Sequence, residues 1–176
     1  EMKTIVIYRS RTGFTKQYAE WIAAKLKADL FEAARVPFTR LAEYDVIIYG
    51  GGLYATGING VKLIKRNLAK LKGKKVIVFA SGASPSRAEV LDVIRNHNFT
   101  PAEQQLIRLF YLRGGFDYHK LSPFLKVIMT VLKWSLQRKK NPTPDEQGML
   151  AAYERPVNFT ARENIKELIA YAEAEV

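Results

Sequence analysis

The chain of 176 residues contains no cysteine and only two histidines. The absence of cysteine excludes disulfides, thiolate metal sites, iron–sulfur clusters and a cysteine nucleophile. Two histidines, His97 and His119, are too few for the usual imidazole metal sites, so we expect no metal. The longest apolar stretch, residues 121–136, is interrupted by Lys126 and Lys133 and is too short to span a bilayer. No signal peptide is visible at the start of the sequence.

Acidic residues are also scarce, since Lys and Arg number 28 against 17 Asp and Glu, which gives a net charge of +11. The excess lies in two segments. Residues 62–75 hold seven cations and no acid, and residues 111–140 hold seven cations and one acid. Such clusters are typical of contact with nucleic acid, an anionic membrane or an acidic partner, and also of solvated helix faces. No recognition helix or aromatic–basic RNA motif accompanies them, so we expect no nucleic-acid partner.

Short β-branched runs alternate with helical patterns along the chain, which predicts an α/β fold. Strands are expected at residues 3–8, 30–32, 45–49, 75–80 and 105–112. Helices are expected at 15–28, 61–71, 87–96, 121–138 and 160–174, the last begun by a capping box of Thr160 and Glu163. Because the strands are apolar on both faces, we predict a doubly wound parallel sheet covered by helices on both sides. Residues 1–176 then form one domain with a helical insertion at about 116–158, of which 141–158 is expected to be loop.

In an open parallel sheet, ligands bind at the carboxyl ends of the strands. Three loops follow predicted strands there: residues 9–15, 50–57 and 81–85. In the first loop Ser10, Thr12 and Thr15 supply hydroxyls, and Gly13 lets the backbone approach a ligand closely. A phosphate can accept hydrogen bonds from these hydroxyls and from the free N–H groups of the first helical turn. An ordinary Ser/Thr N-cap is the alternative interpretation of the same residues.

The stretch from Tyr8 to Thr15, with the apolar helix that follows, resembles the phosphate loop and first helix of the flavodoxin-like FMN-binding family. The resemblance implies FMN as the cofactor and five parallel strands in the order 2-1-3-4-5. It implies no catalytic residue. The cofactor-binding residues that it implies are Ser10, Arg11, Thr12, Gly13, Phe14 and Thr15 around the phosphate, Leu53, Tyr54 and Ala55 on one face of the flavin ring, and Ser81, Gly82, Ala83 and Ser84 on the other. Tyr54 is expected either to stack on the ring or to lie half-exposed beside the sheet.

Residues 114–118, Gly-Gly-Phe-Asp-Tyr, and the basic, apolar segment 120–140 are similar to the branch that contains flavodoxin-type protoporphyrinogen oxidase. That branch implies an FMN-dependent oxidoreductase that passes electrons from a reduced, porphyrinogen-like substrate to an acceptor such as a quinone. The alternative is a flavodoxin-type electron carrier without a substrate of its own. Carriers of this type are usually strongly acidic, whereas this chain is basic.

Residues 116–140 leave two interpretations open. Their apolar residues exceed what one buried stripe needs, so the helix is either covered on two sides or exposes an apolar face. An exposed face beside cations would suit an anionic membrane, a quinone, another redox partner or a second subunit. We therefore expect a cytoplasmic protein, with peripheral contact at the inner membrane face as an open alternative.

Overall fold

A parallel sheet organises the chain, and the computed structural model describes it over residues 2–175. These residues form eight strands: β1 (Thr4–Arg9), β2 (Asp29–Glu32), β3 (Val46–Tyr54), β4 (Gly57–Ile58), β5 (Lys75–Gly82), β6 (Ile107–Arg113), β7 (Gly115–Phe116) and β8 (Val157–Asn158). They also form seven α-helices: α1 (Phe14–Leu26), α2 (Lys62–Asn67), α3 (Ala88–Asn98), α4 (Pro101–Gln104), α5 (Pro123–Gln137), α6 (Pro144–Glu154) and α7 (Lys166–Glu173). Within this range no helix is both long enough and apolar enough to cross a bilayer.

Five of the strands run parallel in the order β2-β1-β3-β5-β6. The predicted order of five strands, 2-1-3-4-5, is confirmed, because β4 is a two-residue strand that lies outside this path. It pairs antiparallel with the end of β3 and was not expected from the sequence. The doubly wound α/β architecture therefore brings the carboxyl ends of β1, β3 and β5 to neighbouring positions at one edge of the sheet.

Helices cover both faces of the sheet, as the apolar strands predict. Alternate side chains of β1 face opposite layers: Ile5 and Ile7 pack with the cluster that includes Ile64 of α2 and Ile94 of α3. Val6, between them, packs with the cluster that includes α1 and α7. Each central strand is thus buried on both faces, and this burial fixes the register at the edge where the loops emerge.

Gly50 shows why a glycine run follows the apolar start of β3. A Cβ atom at this position would lie 2.0 Å from Cζ of Phe79 on the neighbouring strand β5. The Phe79 ring, which is completely buried, occupies the space that any side chain at Gly50 would need. The sequence predicted that residues 50–52 begin a loop, and that prediction is wrong, because all three glycines lie within β3.

The prediction that residues 141–158 form a loop is also wrong. Residues 144–154 form α6, which begins with a capping box in which Thr143 and Glu146 each accept a backbone N–H from the other. Pro144 at the first helical position is pre-organised for the helix, and the acids of the first turn favour its positive end. Beyond α6, strand β8 pairs antiparallel with β7. The polar composition of residues 141–158 suggested a loop, whereas the sequence from Thr143 to Glu146 has the pattern of a helix start.

The capping box predicted at Thr160 and Glu163 does not form. Both the backbone N–H and the hydroxyl of Thr160 donate to Oδ1 of Asn158, at 2.9 and 2.6 Å. A 3-10 turn over Arg162–Ile165 then leads into α7. Since Asn158 belongs to β8, Thr160 stabilises the exit from that strand, and the helix begins later than the sequence predicted.

Candidate functional site

The first loop at the carboxyl edge of the sheet connects β1 to α1. Gly13 is the N-cap of α1 and has a φ of 96°, in the left-handed region that favours glycine. Its N–H donates to Oγ of Ser10 over 3.1 Å. No side chain caps the helix, so the interpretation of these residues as an ordinary Ser/Thr N-cap is wrong. The hydroxyl of Thr12 is not committed to a hydrogen bond with any described residue.

The first turn of α1 presents free donors. The N–H of Gln17 is the first to reach a backbone acceptor, the carbonyl of Gly13 at 3.0 Å. The N–H groups of residues 14–16 have no acceptor among residues 2–175, as expected of a helix N-terminus. Residues 9–17 contribute Arg9, Arg11 and Lys16 and no carboxylate. Free N–H groups, a free hydroxyl and three cations fit a phosphate, because each interacts favourably with an anion.

The first loop is joined to the β5 loop by a buried pair of hydroxyls. Oγ1 of Thr15 and Oγ of Ser81 lie 2.6 Å apart, and both residues are less than 5% exposed. One proton of the pair makes this hydrogen bond, so the other O–H is left to donate to a further acceptor. Both residues were predicted to bind the cofactor, and the structure places them side by side where the β1–α1 and β5 loops meet.

The ring of Phe14, a residue predicted to lie around the phosphate, contacts the segment after β6. A Cβ atom at Gly115 would lie 2.7 Å from the Phe14 ring, and one at Gly114 would lie 3.2 Å from Cβ of Phe14. The ring therefore packs on the chain that leaves β6, and the assignment of Phe14 to the cofactor stays a prediction. Glycine is required at position 115 for this close approach, which joins the β1–α1 loop to the start of the 116–158 segment.

The second loop is a hairpin. β3 continues to Tyr54 and returns through Ala55 and Thr56 into β4, and Ala55 has a φ of 54°. A left-handed conformation is unfavourable for alanine, so the turn is held by the pairing of β3 with β4. Tyr54 is exposed, and the guanidinium of Arg11 lies 5.4 Å from the centre of its ring. Partial burial raises the pKa of Tyr54 above its ordinary value, while the Arg11 charge opposes this effect.

The third loop touches the second. A Cβ atom at Gly82 would lie 3.1 Å from Cδ1 of Leu53, so the residues predicted for opposite faces of a flavin ring meet here. Two side chains of β6 hold this loop from below. The hydroxyl of Tyr111 donates to the carbonyl of Ser84 at 2.6 Å, and Nε of Arg113 donates to the carbonyl of Ala83 at 3.0 Å. Burial raises the pKa of Tyr111 to about 12, so its hydroxyl stays protonated and keeps donating.

Tyr111 and Arg113 were missed in the sequence. The available signal was their spacing. They lie two positions apart at the carboxyl end of a predicted strand, so their side chains share one face of the sheet and border the loops. The predicted residues that the structure brings together are Ser10 with Gly13, Thr15 with Ser81, Arg11 with Tyr54, and Leu53 with Gly82. Their assignment to a flavin ring stays a prediction.

Comparison with known proteins gives one family match. A family model described as a flavodoxin domain matches residues 5–143. A comparison with curated protein sequences finds no match. Among solved structures, the Trp repressor binding protein from Bacillus subtilis is 17% identical, with a TM-score of 0.49, over 80% of this chain and 100% of that one.

Two further solved structures are similar at the same level. Oxidised flavodoxin 1 from Bacillus cereus is 19% identical over 75% of this chain and 93% of that one, with a TM-score of 0.45. A flavoprotein in complex with FMN from Lactobacillus acidophilus is 17% identical over 64% of this chain and 93% of that one, with a TM-score of 0.42. The family match covers most of the sheet and all three loops of the site.

Proposed function

Because this chain belongs to the flavodoxin-domain family, we propose that it is an FMN-dependent oxidoreductase. FMN is the cofactor of that family, and when bound it supplies reversible electron transfer between a donor and an acceptor. In this proposal a reduced substrate gives electrons to the flavin, and an acceptor such as a quinone removes them. The observation that carries the proposal is the loop between β1 and α1, with its free N–H groups, its cations and its lack of carboxylates.

Different residues of the site hold different parts of the cofactor or of the loops around it. Thr12 and the first turn of α1 donate hydrogen bonds to the phosphate, and Arg11 adds positive charge beside it. The pair of Thr15 and Ser81 fixes the floor of the loop. The hydrogen bonds from Tyr111 and Arg113 hold the β5 loop in a single conformation, which orients the groups that border the ring. A pre-organised site of this kind loses little entropy when the cofactor binds.

The charge of the chain favours an enzyme over a simple electron carrier. Carriers of the flavodoxin type are usually acidic and dock on basic reductases, whereas this chain carries +11. Basic, apolar surface suits an anionic and hydrophobic reaction partner. A carboxylate-bearing, porphyrinogen-like substrate has this chemistry, and so does a quinone dissolved in an anionic membrane. As a separate proposal, residues 116–140 make peripheral contact with such a membrane at its inner face.

Anaerobic titration of the purified flavoprotein tests the function. Candidate donors, including porphyrinogens and reduced quinones, are added to the oxidised protein while the visible absorbance of the flavin is recorded. We expect bleaching by a donor of the substrate class and recovery of the absorbance when a quinone is added. Bleaching by none of the donors, together with rapid exchange of electrons with a reductase protein, would instead identify an electron carrier. A purified protein that neither contains nor binds FMN would overturn both functions.

A further inference from the structure

One face of α5 is apolar and uncovered. Phe124, Val127, Ile128, Val131 and Trp134 lie at helical spacing on this face, and each is between 47% and 73% exposed. Of the twelve large apolar side chains exposed among residues 2–175, these five form the one group that shares a helix face. Of the two interpretations that the sequence left open, the structure supports the exposed face. We call these five residues the α5 stripe.

The opposite face of α5 anchors the helix, so the stripe cannot turn inward. Leu136 is buried, and the hydroxyl of Tyr153 on α6 donates to the carbonyl of Met129. The hydroxyl of Thr130 lies 2.7 Å from the hydroxyl of Tyr118, which precedes the helix. These contacts hold α5 from one side, and the stripe therefore faces away from the protein.

Cations border the stripe at both ends of the helix. Lys120 precedes α5, and Arg138 and Lys140 follow it, all three exposed. The nearest acids in the sequence are Asp117 and Asp145, so residues 118–144 contain none. Lys139 is paired with Glu146 on α6 at 2.7 Å and contributes little to the surface charge. An apolar face framed by free positive charge remains.

We propose that the α5 stripe docks on an anionic lipid bilayer, with the helix lying in the plane of the interface. Helices that combine an apolar face, an exposed Trp and Phe, and surrounding Lys or Arg bind in the interface plane of a bilayer, with the apolar face buried at the boundary of headgroups and acyl chains. Each cation near an anionic surface adds to the attraction. A second copy of the chain complements the stripe less well, because a two-fold contact would bring the same cations together.

A helix docked through this face is connected by packed residues to the candidate cofactor site. From the anchored face of α5, contacts run through Tyr153, which donates to the carbonyl of Met129 and whose ring centre lies 5.4 Å from that of Phe116. The preceding residue, Gly115, contacts Phe14 at the start of α1. The docked helix is thus joined by packed residues to the phosphate loop. The link between docking and the flavin rests on the proposed function, because it assumes a lipid-soluble acceptor that reaches the flavin from the membrane side. Docking itself requires no turnover.

Tryptophan fluorescence tests the docking directly. The chain has two tryptophans, Trp134 in the stripe and Trp21, which packs edge-on against Tyr18 with ring centres 5.8 Å apart. With vesicles of phosphatidylglycerol and phosphatidylcholine at low salt, we expect a blue shift of the emission and its quenching by brominated acyl chains. Trp134→Phe should abolish both changes without preventing binding in a sedimentation assay. Vesicles of phosphatidylcholine alone should bind far less protein.

A matched set of valine substitutions separates docking from general loss of structure. The double variant Val127→Gln/Val131→Gln should lower the vesicle partition coefficient by about tenfold or more, because the apolar area that leaves water is reduced. Val93→Gln on α3 is the control, since Val93 is also more than half exposed but is the one exposed large apolar side chain on its helix. Its partition should equal that of the wild type.

Three results would overturn the proposal. The first is wild-type partition in the stripe double variant, and the second is an absence of vesicle binding at low salt. The third is a concentration-dependent dimer whose formation the stripe substitutions abolish while vesicle binding is lacking, which would assign the face to a second copy. FMN content is measured on the same samples. Vesicle binding without FMN would sustain the docking and overturn the proposed function, whereas FMN turnover without vesicle binding would do the reverse.

Discussion

Two helical segments carry most of the excess positive charge, and they differ in what accompanies their cations. In the segment 61–71, which contains α2, the apolar side chains Val61, Ile64, Leu68 and Leu71 are all buried against the sheet. In α5 the apolar side chains of the stripe are exposed. Several cations within or after α2 also have structural partners: Lys65 pairs with Glu103, and Lys74 and Lys75 donate to backbone carbonyls.

The difference teaches that charge counted along a sequence does not identify a binding surface. Residues 62–75 and 111–140 hold the same number of cations. The first set surrounds a helix whose apolar face is already buried against the sheet, so its cations are solvated or bound to structural partners. The second borders apolar side chains that remain in contact with water, and burial of those side chains supplies a driving force for docking that charge alone does not.

The largest expected effect comes from matched isoleucines on the two helices. Ile64→Ala should lower the free energy of unfolding by about 2–5 kcal/mol, because Ile64 is 1% exposed and its removal leaves a cavity. Ile128→Ala should lower it by less than about 0.5 kcal/mol, because Ile128 is exposed. Urea denaturation followed by far-UV circular dichroism measures both. A comparable loss for Ile128→Ala would mean that the stripe is covered in solution, and the comparison would fail.

The contrast between these helices marks how far the sequence alone could lead. Periodicity predicted both helices and their apolar residues, because it depends on neighbours within one turn. It left open which stripe is buried, since that depends on where distant segments pack. A parallel sheet covered on both faces was predictable because each central strand is apolar on both faces, whereas the order of its strands came from the resemblance to the flavodoxin-like family. The bond between Thr15 and Ser81 joins residues 66 positions apart and gave no local signal. The helix start at Thr143 was encoded locally and could have been found.

Charge substitutions in the two segments should give the next largest effect. The triple variant Lys120→Gln/Arg138→Gln/Lys140→Gln should weaken binding to anionic vesicles by about 100-fold, at about 1 kcal/mol for each cation near the surface. The triple variant Lys62→Gln/Lys70→Gln/Lys72→Gln removes the same charge from exposed positions around α2.

We expect the α2 variant to bind vesicles within about threefold of the wild type at equal salt, since its cations border no exposed apolar face. Co-sedimentation with vesicles measures both variants. Equal losses would show that attraction depends on net charge alone, and the distinction between the two segments would then have no functional meaning.

A smaller effect is expected at the phosphate loop. Thr12→Ala should weaken FMN binding by about tenfold to a hundredfold, because a hydrogen bond to a charged group contributes about 1.5–3 kcal/mol. Titration of the apoprotein with FMN, followed by flavin fluorescence, gives the affinity. Thr39→Ala, at an exposed position outside the three loops, is the matched control and should bind as the wild type does. Both triple charge variants should also keep wild-type FMN affinity.

Unchanged FMN affinity in Thr12→Ala would place the phosphate elsewhere. A loss of affinity in the α5 charge variant would indicate that the docking surface and the cofactor site are one surface. The separation between them, which the comparison of the two helices assumes, would then be wrong.

The smallest effects, of opposite sign, are expected at two glycines, one beside α2 and one in α6, the helix that supports α5. A Cβ atom would meet no atom within 4 Å at either Gly73, which lies between Lys72 and Lys74, or Gly148 within α6. Gly73 has a φ of 81°, so Gly73→Ala should lower the free energy of unfolding by about 1–2 kcal/mol. Gly148→Ala should raise it by up to about 1 kcal/mol, because alanine loses less conformational entropy in a helix.

Urea denaturation of the two variants measures both changes. Since space is open at both sites, backbone conformation alone sets the sign. No gain from Gly148→Ala would mean that residues 141–158 are the loop that composition suggested, and α5 would lose the support that holds its stripe outward.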